Sequence, residues 1–291
     1  MKYGFFPGCN MPAIRPDVEK AIRLSMPKLG VELEEMEGYV CCPAYGTFHS
    51  SDEDATLAVS GWNLSIAEQK GLDVLVECGS CYSSLRMGKS LLQDPERKAR
   101  IDALLEKGGK KYDGQSTVRH MIEVLYNDVG VEKIREAVKK PLQGVEAIIQ
   151  YPCHTVYPSD IVGFDPIGGK PFMLGELVEA LGATVKHYSC EYQCCGGAGG
   201  FHRSSAIEAA AFAKRKLDAI KEETKAQLIV VSCITCLMFL DTVQKELSNG
   251  NGTYSIPVFD YNQILSLCMG FPAEQVAAIA TTPRDEILKK F

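Results

Sequence analysis

Val74-Leu75-Val76-Glu77-Cys78-Gly79-Ser80-Cys81 and Ile229-Val230-Val231-Ser232-Cys233-Ile234-Thr235-Cys236 each run an apolar strand straight into a Cys-x-x-Cys. Working outward, their surroundings repeat as well. Upstream of each lies an adjacent pair, Cys41-Cys42 and Cys194-Cys195, and further upstream a lone cysteine, Cys9 and Cys153. The copies are offset by 144, 153 and 155 residues at the lone cysteine, the pair and the Cys-x-x-Cys. Ten of the 12 cysteines therefore belong to one duplicated pattern. Cys190 and Cys268 have no counterpart and read as small buried hydrophobes.

The flanks follow suit. Phe5-Phe6-Pro7-Gly8-Cys9 resembles Ile149-Gln150-Tyr151-Pro152-Cys153. Cys42-Pro43-Ala44-Tyr45-Gly46-Thr47-Phe48-His49 aligns with Cys195-Gly196-Gly197-Ala198-Gly199-Gly200-Phe201-His202, with Gly46, Phe48 and His49 recurring at Gly199, Phe201 and His202. The reading is an internal duplication into 1–145 and 146–291.

Strands are expected at Lys2–Phe6 and Ala147–Tyr151, before the lone cysteines, and at Leu72–Val76 and Leu228–Val231. Helices should follow the pairs. One is capped by Ser51 and runs through Gln69, with Ala55, Val59, Trp62 and Ile66 on one face. The other is capped by Ser204 or Ser205 and runs through Glu223, with Ile207, Ala211, Lys214 and Leu217 spaced likewise. Arg97–Gly109, Val118–Tyr126 and Val131–Lys139 read as helices bridging the halves. Tyr261–Met269 and Pro272–Ala280 read as apolar helices suited to docking or to core packing. Alternating strands and helices predict an α/β fold of two pseudo-symmetric Rossmann-like halves, each with a small, mostly parallel sheet. The ten cysteines would then gather at the carboxyl edges of the strands, where ligand sites form.

Composition narrows the chemistry. Over 291 residues the net charge is −6, which argues against nucleic-acid binding. No apolar run is long enough to span a membrane. The start, Met1-Lys2-Tyr3-Gly4-Phe5-Phe6-Pro7, lacks the features of a signal peptide, so a cytoplasmic location is expected. There the thiols stay reduced, and metal or redox chemistry explains them better than disulfides. A thioredoxin-like dithiol at Cys78–Cys81 leaves Cys9 and the adjacent pair unexplained. Structural zinc takes four ligands, one fewer than each half supplies. Thiolates also hold iron–sulfur clusters, and five per half suggest an unusual one, but spacing alone does not decide between zinc and iron. The run from Gly196 to Gly200 matches a dinucleotide loop badly. It reads instead as backbone that approaches a bulky cofactor and offers it N–H groups.

At these residues the chain resembles the CCG-domain, or cysteine-rich, family, and within it the B subunits of methanogen heterodisulfide reductases. The resemblance spans nearly the whole chain. Its most specific stretches are Cys153-His154, Gly163-Phe164-Asp165, Leu177-Val178-Glu179-Ala180-Leu181-Gly182-Ala183 and Cys194 to Gly200. It implies that Cys9, Cys41, Cys42, Cys78 and Cys81 bind one noncubane [4Fe-4S] cluster. Cys153, Cys194, Cys195, Cys233 and Cys236 would bind a second. It further implies that the pair reduces the coenzyme M–coenzyme B disulfide in methanogenesis, the disulfide lying between the clusters. One departure is Cys41-Cys42-Pro43, where the family pattern has glycine third; zinc in place of iron at the first site is the alternative this leaves.

Catalytic protons point to histidine. His154 adjoins a ligand, and His49 and His202 are a matched pair. For the substrate's anionic groups the candidates are Arg86 and Lys89, after the first Cys-x-x-Cys, and Arg203 with His202, after the glycine run. The chain carries no flavin fingerprint and no ferredoxin Cys-x-x-Cys-x-x-Cys run, so electrons must come from partners. The resemblance implies two of them, a ferredoxin-like C subunit and a flavin-containing A subunit. Competing readings are an electron-transfer subunit of a lactate-, glycolate- or succinate-type oxidoreductase, and a zinc-organised interaction scaffold.

Overall fold

The computed structural model describes residues 1–44, 48–165, 171–197, 200–248 and 252–291. The first half holds β1 (Lys2–Phe6), β2 (Glu32–Glu35), β3 (Val74–Val76) and β4 (Val118–His120) in the order β2-β1-β3-β4. The second holds β5 (Glu146–Gln150), β6 (Thr184–Lys186), β7 (Leu228–Val231) and β8 (Val258–Asp260) in the matching order β6-β5-β7-β8. Every pairing is parallel. Phe5 lies opposite Leu75, and Ile148 opposite Ile229. The central strands are buried because helices cover both faces of such sheets, which is why they read as continuous apolar runs. The fold is thus two Rossmann-like halves related by pseudo-symmetry.

The main helices are α1 (Pro16–Ser25), α2 (Glu53–Gln69), α3 (Gly79–Leu91), α4 (Pro95–Lys107), α5 (Met173–Ala180), α6 (Ala206–Glu223), α7 (Ile234–Leu247) and α8 (Tyr261–Cys268). α2 is capped by Asp52, whose carboxylate accepts from Ala55 N–H at 2.9 Å, rather than by Ser51. Ser205 precedes α6 but makes no side-chain cap. The segment expected as one helix from Val118 begins as β4. His120 is extended there (φ −80°, ψ 147°), its Nδ1 accepts from Ile122 N–H, and Glu123 returns to the His120 N–H. Asp260 does the same at the end of β8 with Asn262 and Gln263. A capping residue must sit outside the helix it starts, so the strand ends at it.

α4 does not bridge the halves. It packs on α2, with Leu105 and Ile101 against Gly61. The bridging is done by exchange: α8 of the second half packs on α1 of the first, and the helix Val131–Ala137 of the first packs on α5 of the second. At the α1–α8 contact, Arg15 and Asp17 form a buried ion pair at 3.1 Å. Gln263 Nε2 donates to Asp17 at 2.7 Å, and the Ser266 hydroxyl to the Ala21 carbonyl at 3.0 Å. α8 is therefore core rather than a docking helix. Only Ala273–Val276 is helical in the segment read as Pro272–Ala280. Among the described residues no helix is long and apolar enough to cross a membrane.

Candidate metal centre

Each lone cysteine follows the first strand of its half, each pair follows the loop after the second, and each Cys-x-x-Cys joins the third strand to a helix. The parallel sheets point all six connections the same way, so the ten sulfurs collect at the carboxyl edges. In the first half Cys9 lies 3.6 Å from Cys41, and Cys42 lies 3.1 Å from Cys81. Cys41–Cys42 and Cys78–Cys81 contacts complete a string of five. The second half repeats it as Cys153–Cys194–Cys195–Cys236–Cys233. The two strings meet where Cys78 and Cys233, the leading residues of the two Cys-x-x-Cys motifs, approach to 3.9 Å.

Cys9 and Cys41 are exposed, Cys153 and Cys194 are half-buried, and the other six of the ten are buried. Thiols this close compete for protons. Cys194 is pulled far below the usual thiol range by Cys153, then Cys195, with help from the Gly196 N–H. Cys153 is pushed up in consequence. Cys42 is drawn down to about 6 by Cys41 and then Cys81. Among the described residues no three His, Cys, Asp or Glu side chains close round one point as ligands of a single ion would. Five soft sulfurs per string suit a cluster of several irons better than one zinc ion.

The glycines after the second pair serve two ends. Gly196 and Gly197 donate their N–H groups to the sulfurs of Cys194 and Cys195 at 3.3 and 3.4 Å. Gly196 is also left-handed (φ +97°), and a Cβ there would lie 2.4 Å from the Ala209 carbonyl oxygen. Gly46, Ala198 and Gly199 lie outside the described residues.

A cleft of about 250 Å³ opens at the junction, lined by the five cysteines of the first set and by Gly197, His202, Arg203, Thr235 and Met238 of the second half. His202 stands there with Nδ1 3.2 Å from the Gly197 carbonyl and its ring 5.5 Å from that of Phe239. His154 lines a neighbouring small pocket with Cys153, Cys195, Cys233 and Cys236. Its Nδ1 is 2.8 Å from the Ser83 hydroxyl on α3, so it reaches from one half to the other. Burial lowers its pKa. His49 is half-buried and is not among the residues lining the cleft.

Arg203 is at the cleft, but Arg86 and Lys89 are engaged elsewhere. Arg86 donates to the Ile161 carbonyl, and Lys89 to the carbonyls of Gly114 and Ser116. Ser80 and Thr235, which line the cleft, escaped the sequence reading. They hold the same position in the two Cys-x-x-Cys motifs, so the repeat itself carried the signal.

This architecture belongs to a known class: residues 3–86 and 147–241 match the cysteine-rich domain (CCG) family, and the chain is a member of it. Among proteins of that kind, it is 41% identical to the B-subunit-like heterodisulfide reductase protein of Archaeoglobus profundus, over 100% of this chain and 98% of that one. It is 36% identical to the B subunit of the ferredoxin/F(420)H(2)-dependent CoB-CoM heterodisulfide reductase of Methanosarcina acetivorans, over 94% and 91%. It is 33% identical to the 8-methylmenaquinol:fumarate reductase membrane anchor subunit of Wolinella succinogenes, over 94% of both. The crystal structure of a hypothetical protein from Helicobacter pylori shares the fold, with a TM-score of 0.69 at 13% identity, over 94% of this chain and 50% of that one.

Proposed function

We propose that the chain, with halves 1–145 and 146–291, is the catalytic subunit of a heterodisulfide reductase. It reduces the coenzyme M–coenzyme B disulfide to two thiols. The observation that carries this reading is the meeting of two five-cysteine strings at Cys78 and Cys233, beside a cleft between the halves. Cys9, Cys41, Cys42, Cys78 and Cys81 would hold one noncubane [4Fe-4S] cluster, and Cys153, Cys194, Cys195, Cys233 and Cys236 the other. When bound, such clusters supply electrons one at a time, and two of them match the two electrons that cleave one S–S bond.

The chain's own groups do the rest. Disulfide, two electrons and two protons give two thiols, so two protons must reach the separating sulfurs. His202 lines the cleft, and His154 stands beside Cys153 in the adjoining pocket. Ser83 fixes the first ring nitrogen of His154, and the Gly197 carbonyl that of His202. His49 is the matched residue of the first half and the third candidate donor. The Arg203 guanidinium at the cleft suits the anionic ends of the substrate. Electrons arrive from a ferredoxin-like C subunit and a flavin-containing A subunit, in the cytoplasm.

His154→Gln is expected to slow turnover about 100-fold, a typical loss for one general acid, with iron content unchanged. Loss of iron instead would make His154 part of the scaffold. A second reading is favoured by the likeness to the fumarate reductase protein: an electron-relay component of another oxidoreductase. Anaerobic assay for thiols released from the heterodisulfide, with an artificial one-electron donor, separates the two. Iron-loaded protein that relays electrons without releasing thiols would establish the relay.

A further inference from the structure

α2 and α6 are matched helices, each following the paired cysteines of its half. The 153-residue offset that places Cys41-Cys42 on Cys194-Cys195 also places the start of one on the start of the other. The eleventh residue is Asn63 in α2 and Lys216 in α6. Both are buried, at 0% and 1% exposure. Both tie down the loop that leads to the paired cysteines. Asn63 accepts from Val40 N–H at 2.9 Å and donates to the Val40 carbonyl at 3.0 Å. Lys216 Nζ donates to the Cys190 carbonyl and lies 3.1 Å from the Tyr188 hydroxyl, over whose ring it sits at 5.1 Å from the centroid. The two residues perform one structural task with different charge.

An amide suffices for that task, as Asn63 shows. A buried ammonium adds a desolvation cost that the same hydrogen bonds do not require. Its described hydrogen-bond partners include no carboxylate. Burial draws the Lys216 pKa down to about 8, and the groups that oppose this are the sulfurs of Cys195, Cys236, Cys190 and Cys194. Three of those four belong to the second cysteine set. The thiols of the first set are acted on by one another, by burial and, at Cys78, first by Cys233, and no cation stands among these leading influences. Among the described residues lining the cleft with them, the cation is Arg203, and it is exposed, where water and salt screen it.

We infer that Lys216 is a fixed, buried positive charge that makes the two sites unequal, raising the reduction potential of the second-set cluster above that of the first. This rests on the iron–sulfur reading and extends it: a charge behind one site favours an added electron there, and the neutral Asn63 at the matching place behind the other does not. Of electrons delivered singly, the first then comes to rest at the second site. Lys216 acts through the field it sets and touches no substrate, so it is a positioning residue.

The test is an EPR-monitored redox titration of the full chain, with iron analysis, on wild type, K216Q and K216R. Glutamine keeps a donor for the Cys190 carbonyl and removes the charge; arginine keeps the charge and changes the shape. One midpoint is expected to fall in K216Q while the other stays, and K216R is expected to remain near wild type. Unmoved midpoints in K216Q with full iron overturn the inference, as does a shift in K216R as large as in K216Q. Should K216Q shed its iron, N63K decides in the opposite sense: a raised first-site midpoint supports the inference and an unmoved one overturns it. Wild-type protein without iron overturns the reading on which it rests.

Discussion

Cys81→Ser is expected to leave a folded chain with about half its iron, about four irons and four sulfides in place of about eight of each. Cys81 lies on α3 with its sulfur 3.1 Å from Cys42, so its loss breaks the first string and leaves the second complete. A serine oxygen is a hard donor and a poor replacement for a thiolate on iron. The fold should tolerate the change, because one buried hydroxyl without its partner costs about 1–3 kcal/mol. Reduction of the heterodisulfide should fall to background, since the proposed reaction draws on both sites. Iron and sulfide analysis beside a thermal melt checks all three. Full iron in the variant would remove Cys81 from the ligand set, and loss of zinc with iron retained would assign the first site to zinc.

The second large effect is expected at Gly196→Ala. A residue with a Cβ at φ +97° is strained by about 1–3 kcal/mol. The new methyl would also lie 2.4 Å from the Ala209 carbonyl oxygen and 3.0 Å from the Phe239 ring. The carbonyl belongs to α6 and yields only if the helix shifts, and overpacking of this kind costs about 1–3 kcal/mol more. Together the two are expected to lower the melting temperature by roughly 5–10 °C. They should also displace the N–H groups that face Cys194 and Cys195, so the second site should lose iron. Gly200→Ala is the control. It is also left-handed (φ +83°) but meets nothing within 4 Å among the described residues, so only the smaller conformational cost applies. Equal melting temperatures for the two variants would show that close packing at Gly196 contributes nothing.

The sequence displayed what the core dictates and hid what the edges and the tertiary contacts decide. β1, β3, β5 and β7 were legible because burial on both faces gives them apolar runs, broken only by Lys2 at the start of β1 and by Glu146 and Gln150 at the ends of β5. β2 reads Glu32-Leu33-Glu34-Glu35, a half-exposed edge strand with no apolar run, and β6 (Thr184–Lys186) is an edge of the same kind. β4 and β8 are three residues long and end in capping residues, so their signal merges with the helix that follows. At the site, duplication exposed all ten cysteines through their spacing alone. That Cys78 meets Cys233 was not legible, because it depends on how the exchanged helices seat one half on the other. Arg86 and Lys89 had the right spacing and the wrong partners: backbone carbonyls claim both. Lys216 was hidden among the charges of α6, and only the register against Asn63 marks it out.

The central claim is that each five-cysteine string holds an iron–sulfur cluster and that the two work as a pair on one disulfide. The most direct measurement is anaerobic iron, acid-labile sulfide and zinc content, with EPR spectra before and after addition of the heterodisulfide and of each thiol. The account predicts about eight irons and eight sulfides per chain and a signal that responds to thiol. Zinc alone, with no iron and no response, would contradict it and leave the cysteines as the frame of an interaction scaffold.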